Sequence, residues 1–248
     1  MKNFLRLATV ASLVSASVLG GIAMRSADAA GITWGSATTI SGTTDVNTEG
    51  TLFAASSFGS TDVTVNGVTF SQWSPAPSGT AGVTSGSFTL LQPDTGFAIF
   101  NGFGSSSAPF SGLATEYQNL LSEGIYSFGP GSSTVTVSGL TNGQQYSIQF
   151  WANDSRPAIA ATQTVDGITL DVNTTNTDGG VGQWISGTFT ADASFQNFNV
   201  STVAPANYYS AIQVRAVPEP STLAGLGVIG AGLAAFIRRR LRAAKSVN

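Results

Sequence analysis

Leu140-Thr141-Asn142-Gly143-Gln144-Gln145-Tyr146 runs straight into Ser147-Ile148-Gln149-Phe150-Trp151. The second stretch alternates, as a β-strand does when its successive side chains point to opposite faces. The first stretch holds a Leu, a turn Gly and a Tyr that opens the strand. That is the pattern of a tyrosine corner, in which the phenol hydroxyl bonds back to the crossing backbone. It predicts two packed sheets and says nothing about a ligand.

The sequence on either side repeats the signal. Asp62-Val63-Thr64-Val65 and Val68-Thr69-Phe70 flank Asn66-Gly67, and Thr164-Val165 and Ile168-Thr169-Leu170 flank Asp166-Gly167. Both pairs tolerate the positive φ of a two-residue hairpin turn, so each predicts a hairpin. Residues 133–137, 184–190, 195–201 and 208–214 read as further strands. Residues 33–40, 51–55, 87–91 and 97–100 read as shorter ones. One segment breaks the period of two. Leu113, Tyr117, Leu120 and Leu121 fall at i, i+4, i+7 and i+8, which puts one apolar stripe on a short helix. Gly124 is placed to end it, and such a helix would plug one end of a sandwich. Residues 71–86 and 105–109, rich in Ser, Pro and Gly, read as loops. The expected fold is all-β: a jelly-roll-like antiparallel β-sandwich over residues 30–216 with one short helix. The stretch 133–215 resembles galactose-binding-like modules in pattern, through Leu140, Gly143 and Tyr146, the 147–151 strand and the closing Ala211-Ile212-Gln213-Val214-Arg215.

Composition removes several chemistries. The chain has no Cys and no His among its 248 residues. It therefore forms no disulfide and carries no thiol nucleophile, and the usual Ser-His-Asp hydrolase and zinc sites are excluded. Between residues 30 and 217 only Arg156 and Arg215 are basic, against eleven acidic side chains, so this part carries a net charge of −9. An acidic body without a basic patch is repelled by nucleic acid, which is not an expected partner.

The two ends read differently. Lys2 and Arg6 precede an apolar stretch over 7–22, and Ala27-Asp28-Ala29 follows. This is the layout of a secretory signal peptide over residues 1–29, cut after Ala29 by signal peptidase once the export machinery has engaged it. At the other end stand Val217-Pro218-Glu219-Pro220, an apolar run over 221–237, and Arg238-Arg239-Arg240-Leu241-Arg242. Seventeen residues of helix span about 25 Å, short against a hydrocarbon core of about 30 Å. The arginines extend that reach by snorkelling and hold the far end in the cytoplasm, leaving the preceding domain outside. Residues 217–248 thus read as a sorting tail with a transmembrane helix at 221–237.

The tail resembles the PEP-CTERM signal of Gram-negative bacteria. The resemblance implies an exosortase-type membrane transpeptidase as partner, with Pro218, Glu219, Pro220, Arg238, Arg239 and Arg240 as the sorting residues. It also implies removal of the helix and transfer to a surface acceptor. The expected location is the inner membrane in passing, with the domain outside, and then the cell surface or extracellular matrix.

Candidate binding residues cluster after the decisive strand. Trp151, Asn153, Asp154 and Arg156 enter a loop, where binding groups concentrate. With Tyr208 they could stack and hydrogen-bond a glycan. The same residues also read as an Asx turn with Asp154 paired to Arg156 and Trp151 in the core. Trp34, Trp73, Trp184, Tyr208 and Tyr209 are candidates for an aromatic platform, and because strand neighbours face opposite sides, one of the two tyrosines is expected outside. Residues 171–180 offer oxygen ligands for calcium, without the spacing of an EF-hand. No other cofactor or metal is expected. Glu116 and Glu123 are the one pair suited to a two-carboxylate glycosidase. The leading expectation is a non-enzymatic surface or matrix protein with an adhesive or structural sandwich. The alternatives are a carbohydrate-binding module and, third, the glycosidase.

Overall fold

The structure, a computed structural model, describes residues 31–218 except positions 81, 93–95, 128, 158–160 and 204–205, together with the side chains of 78–80. The leader at 1–29, Glu219, Pro220, the 221–237 run and Arg238, Arg239 and Arg240 lie outside the described residues.

In chain order the strands are β1 (Thr33–Trp34), β2 (Thr38–Thr39), β3 (Thr51–Ser56), β4 (Val63–Val65), β5 (Val68–Phe70), β6 (Ser78–Thr80), β7 (Gly82–Ser85), β8 (Phe88–Leu91) and β9 (Phe97–Phe100). The helix α1 (Thr115–Ser122) follows, then β10 (Gly124–Ser127), β11 (Gly131–Ser138), β12 (Gln145–Ala152), β13 (Thr162–Val165), β14 (Ile168–Asp171), β15 (Gln183–Thr190), β16 (Phe195–Thr202), β17 (Tyr208–Tyr209) and β18 (Ala211–Ala216). One six-stranded sheet runs β1-β15-β12-β18-β3, with β2 also on β15. A second runs β14-β13-β16-β11-β8-β7. A smaller sheet, β17-β10-β9-β6, and the β4-β5 hairpin complete the set. Every strand ladder is antiparallel.

The two large sheets share one apolar core. Ile148, Phe150, Ile185, Ile212 and Val214 of the first meet Leu90, Val135, Val137, Phe198 and Val200 of the second. Phe150 and Phe198 touch edge to face with centroids 6.0 Å apart. From β11 onward the chain alternates between these sheets, with β11, β13–β14 and β16 in one and β12, β15 and β18 in the other, interrupted only by β17 in the smaller sheet. The architecture is therefore β-sandwich-like, as the alternation in 147–151 predicts. The corner is present as well: the Thr141 N–H donates to the Tyr146 hydroxyl oxygen at 3.0 Å. Both hairpins form at the predicted turns, with positive φ at Asn66 and Gly67 and at Asp166 and Gly167.

The first sheet is covered on both faces. Its outer face packs Trp151 and Ala211 against Tyr117, Leu120 and Leu121 of α1, Val65 and Phe70 of the β4-β5 hairpin, and Ile40 and Val46. The helix thus lies over a sheet face instead of plugging an end. Glu123 caps it in extended conformation, so Gly124 does not end it but opens β10. There, a Cβ at residue 124 would stand 2.4 Å from the Tyr209 carbonyl oxygen, a closeness only glycine permits. Other expectations shift locally. Residues 33–40 give two two-residue strands, and the stretch 71–86 contains β6 and β7. The run 208–214 breaks at Ser210, because β17 pairs with β10 while β18 pairs with β12 and β3. Tyr208 and Tyr209 are both buried, Tyr208 against Phe103 and Tyr209 against Phe58, Phe97 and Phe150. No helix among the described residues is long and apolar enough to cross a membrane, and the 221–237 run is not among them.

Candidate functional site

Three places carry the residues singled out by sequence. The first is the loop after β12. Trp151 points to the outer face of its sheet and is fully buried. Its indole N–H donates to the Tyr117 hydroxyl at 3.0 Å, and that hydroxyl donates to Asp45 Oδ2 at 3.0 Å. Phe70 meets the indole edge to face at 5.9 Å. No face of Trp151 is free to stack a sugar, because the helix and the hairpin lie over it. Burial, with the Asp45 charge second, pushes the Tyr117 hydroxyl far above the ordinary phenol range.

Asn153 and Asp154 are also fully buried. Asn153 Nδ2 donates to the Leu121 carbonyl at 3.3 Å and to Ser155 Oγ at 3.1 Å, while its Oδ1 accepts from the Gly182 N–H at 2.9 Å. It ties α1 to the first sheet and has no group left for a ligand. Asp154 accepts two bonds from the Arg156 guanidinium, Nε at 2.8 Å and Nη2 at 2.6 Å, and one from the Arg156 N–H at 3.2 Å. This is an Asx turn closed by a bidentate ion pair. The bonds to Asp154 raise the Arg156 pKa above its usual value, so the side chain stays charged.

Arg156 and Tyr208 have a different role. The guanidinium carbon sits 4.8 Å from the Phe100 ring centre and 5.5 Å from that of Phe103, in cation–π range. Together with Tyr126, Ala206 and Tyr208, these residues line a cleft of about 300 Å³. Phe100 and Phe103 contact edge to face at 4.9 Å, and Phe103 and Tyr208 at 5.6 Å. Burial, then the Asp154 charge, raises the Tyr208 pKa, so its hydroxyl is neutral. The arrangement offers apolar ring surface beside a fixed cation and phenol hydroxyls, which suits a ring-shaped ligand with hydroxyls at its edge. The sequence reading missed Phe100, Phe103 and Tyr126. Its available clue was the aromatic spacing in Phe97-Ala98-Ile99-Phe100-Asn101-Gly102-Phe103.

The second place is a polar cleft of about 510 Å³ that includes Asp62, Asn101, Glu116, Asn119 and Glu123 in its lining. Both candidate glutamates are therefore in one cleft. Both come from the same helix. Glu116 lies in the first turn of α1 and Glu123 caps its end, a separation of about 10 Å along the axis. Glu123 Oε2 accepts from the N–H and Oγ of Ser60 at 2.7 and 2.8 Å. In the loop 171–180, Asp178 accepts bonds from the Ser107 and Ser105 hydroxyls, which hold its carboxyl below the usual range, Ser107 the more strongly. Asn173 spends its Nδ2 on the Arg156 and Thr177 carbonyls at 3.1 and 3.0 Å. The remaining platform candidates are dispersed. Trp73 is buried and stacked on Phe58 at 5.1 Å, Trp34 donates to Asp166 Oδ2 at 2.9 Å, and Trp184 packs beside Trp151.

The third place is where the sandwich meets the tail. Ala216, the last residue of β18, pairs with Tyr146 on one side and Thr51 on the other. Val217 continues the ladder, its N–H donating to the Gln145 carbonyl at 2.9 Å. Arg215 fixes the neighbouring loop through the carbonyls of Thr48, Glu49 and Gly50 at 2.9, 2.8 and 2.9 Å. Arg156 and Tyr208 lie beyond the other end of the β12-β18 ladder, which is about 17 Å long at 3.4 Å per residue.

Residues 216–242 match the PEP-CTERM protein-sorting motif. No curated protein and no solved structure matches the chain. The chain therefore carries a sorting signal of the kind exosortase recognises, which implies export, anchoring in a membrane and processing.

Proposed function

We propose that this is a non-catalytic protein of the cell surface or extracellular matrix, made with a cleaved leader and released from its membrane helix by an exosortase. Its jelly-roll-like sandwich works outside the cell as an adhesive or structural body. The observation that carries the reading is the sorting motif at residues 216–242 joined directly to the closing strand of a sandwich-like domain. The alternation of β11 to β16 between two facing sheets, closed by β18, supports the jelly-roll-like form. Neither cofactor nor calcium is needed for this role. The test is surface proteolysis of intact cells with and without the exosortase. The reading expects a tail-less, protease-accessible domain only when the enzyme is present. A domain that stays protected in both would overturn it.

The cleft at Arg156 supports a second reading, a carbohydrate-binding module. It lies at the end of the sandwich remote from the tail, so it faces away from the membrane while the protein is anchored. Arg156→Ala and Phe100→Ala are expected to abolish binding on a glycan array while leaving the melting curve cooperative. An array on which the wild-type domain binds nothing counts against this reading and leaves the first one standing.

A further inference from the structure

The sorting motif and the folded domain overlap. The motif match begins at Ala216, and Ala216 is the last residue of a strand hydrogen-bonded on both sides. Both backbone groups of the next residue are also committed. The Val217 N–H donates to the Gln145 carbonyl at 2.9 Å, and the Gln144 side chain donates through Nε2 to the Val217 carbonyl at 2.7 Å. Gly50 lines the other side of this exit. It holds a φ of 76°, and a Cβ there would stand 2.4 Å from the Ala216 carbonyl oxygen and 3.7 Å from Pro218 Cδ. Pro218 is exposed. There is thus no spacer between sandwich and motif: the hydrogen bonding of the sandwich runs through Val217, inside the motif match.

An enzyme that reads a peptide segment holds it extended, through its backbone groups and alternate side-chain pockets. At this exit those backbone groups are already used by the sandwich. We propose that the end of the sandwich formed by Gly50, Gln144 and Gln145 is the surface that meets the membrane-embedded exosortase, and that it holds Val217 as a strand extension which must detach before the motif is engaged. The sandwich and the enzyme compete for the same backbone. Processing is therefore slowed by the fold itself. The inference rests on the sorting reading and adds to it a defined contact face and a release step.

The test follows loss of the tail by pulse–chase and intact mass, using the full-length protein in cells that contain the exosortase. Three versions are compared: the wild type, Gln144→Ala, and a version with eight Gly/Ser residues inserted between Val217 and Pro218. The inserted version is expected to lose its tail several-fold faster than wild type. Gln144→Ala, which removes the one side-chain bond to the Val217 carbonyl along with a bond to the Gln145 carbonyl, is expected to gain up to about fivefold. An inserted version processed no faster than wild type overturns the inference while leaving the sorting reading intact. Retention of the tail in all three overturns the sorting reading and the inference with it.

Discussion

The two faces of β12 and β18 are built from the same two strands and held by different forces. Inward, Ile148, Phe150, Ile212 and Val214 join an apolar core with no hydrogen-bond requirement. Outward, Gln149, Gln213 and Arg215 are nearly as buried, yet each donates to backbone carbonyls, with Gln213 Oε1 and Arg215 Nη1 the two of their atoms left without a partner. Gln149 Oε1 accepts from the Asn47 N–H at 2.9 Å and its Nε2 donates to the Asp45 carbonyl at 3.0 Å, while Gln213 Nε2 donates to the Asn47 carbonyl at 3.1 Å. Beside them runs the chain from Trp151 through Tyr117 to Asp45, whose carboxylate also accepts from the N–H groups of Ser41 and Gly42 and the Ser41 hydroxyl. The inner face gains stability from area removed from water. The outer face is held by pairing groups that would be costly to leave unpaired. The lesson is that a polar residue on an alternating strand does not mark a solvent-facing side when a loop can satisfy it.

This contrast can be broken by substitution. Phe150→Ala opens a cavity in the apolar core and is expected to cost about 3–5 kcal/mol, read by urea unfolding. Asp45→Ala leaves the Tyr117 hydroxyl and the Ser41 and Gly42 donors unpaired, and is expected to cost about 2–3 kcal/mol. Equal losses would mean that the outer cover is as integral to folding as the core. A loss near zero for Asp45→Ala would make the polar network decorative.

Alkaline titration sharpens the same contrast. Burial raises the pKa of the Tyr117 hydroxyl, under the outer cover, and that of Tyr209, in the core. Both stay neutral in the fold where the unfolded chain ionises, above about pH 10. Stability is therefore full below that pH and falls as pH rises through it. Tyr117→Phe is expected to be less stable than wild type at pH 7 and to show a shallower alkaline fall, followed by circular dichroism. An unchanged slope would show that the outer network does not feel the titration. The smallest effect is expected at the corner. Tyr146→Phe removes the acceptor for the Thr141 N–H and should cost about 1 kcal/mol, measured as a modest drop in the urea midpoint.

How far the sequence could be read follows the same division. The inner strands, the corner at Tyr146 and the turns at Asn66-Gly67 and Asp166-Gly167 were legible because alternation and positive-φ turn residues are local signals. Helix α1 was legible in its stripe but not in its position, since the stripe says that a face is buried and not against what. The loop 151–156 was only half legible. Asn, Asp and Arg beside Trp suit both a ligand and a turn, and the structure assigns Trp151, Asn153 and Asp154 to the scaffold and leaves Arg156 at a cleft. Phe100 and Tyr126 reach that cleft from β9 and β10, neighbouring strands of the small sheet that are more than twenty residues apart in the chain, a pairing that no local pattern encodes. The expectation that Tyr208 or Tyr209 lies outside fails because both sides of β17 are covered, Tyr208 by Phe103 and Tyr209 by Phe58, Phe97 and Phe150.

The most direct test of the account is intact-mass spectrometry of the native protein, comparing membrane and released fractions. The account predicts a released species that begins at Ala30 and ends near Pro218-Glu219-Pro220, without the arginine tail. A membrane-bound species intact through Asn248, with no shorter form in either fraction, would contradict it.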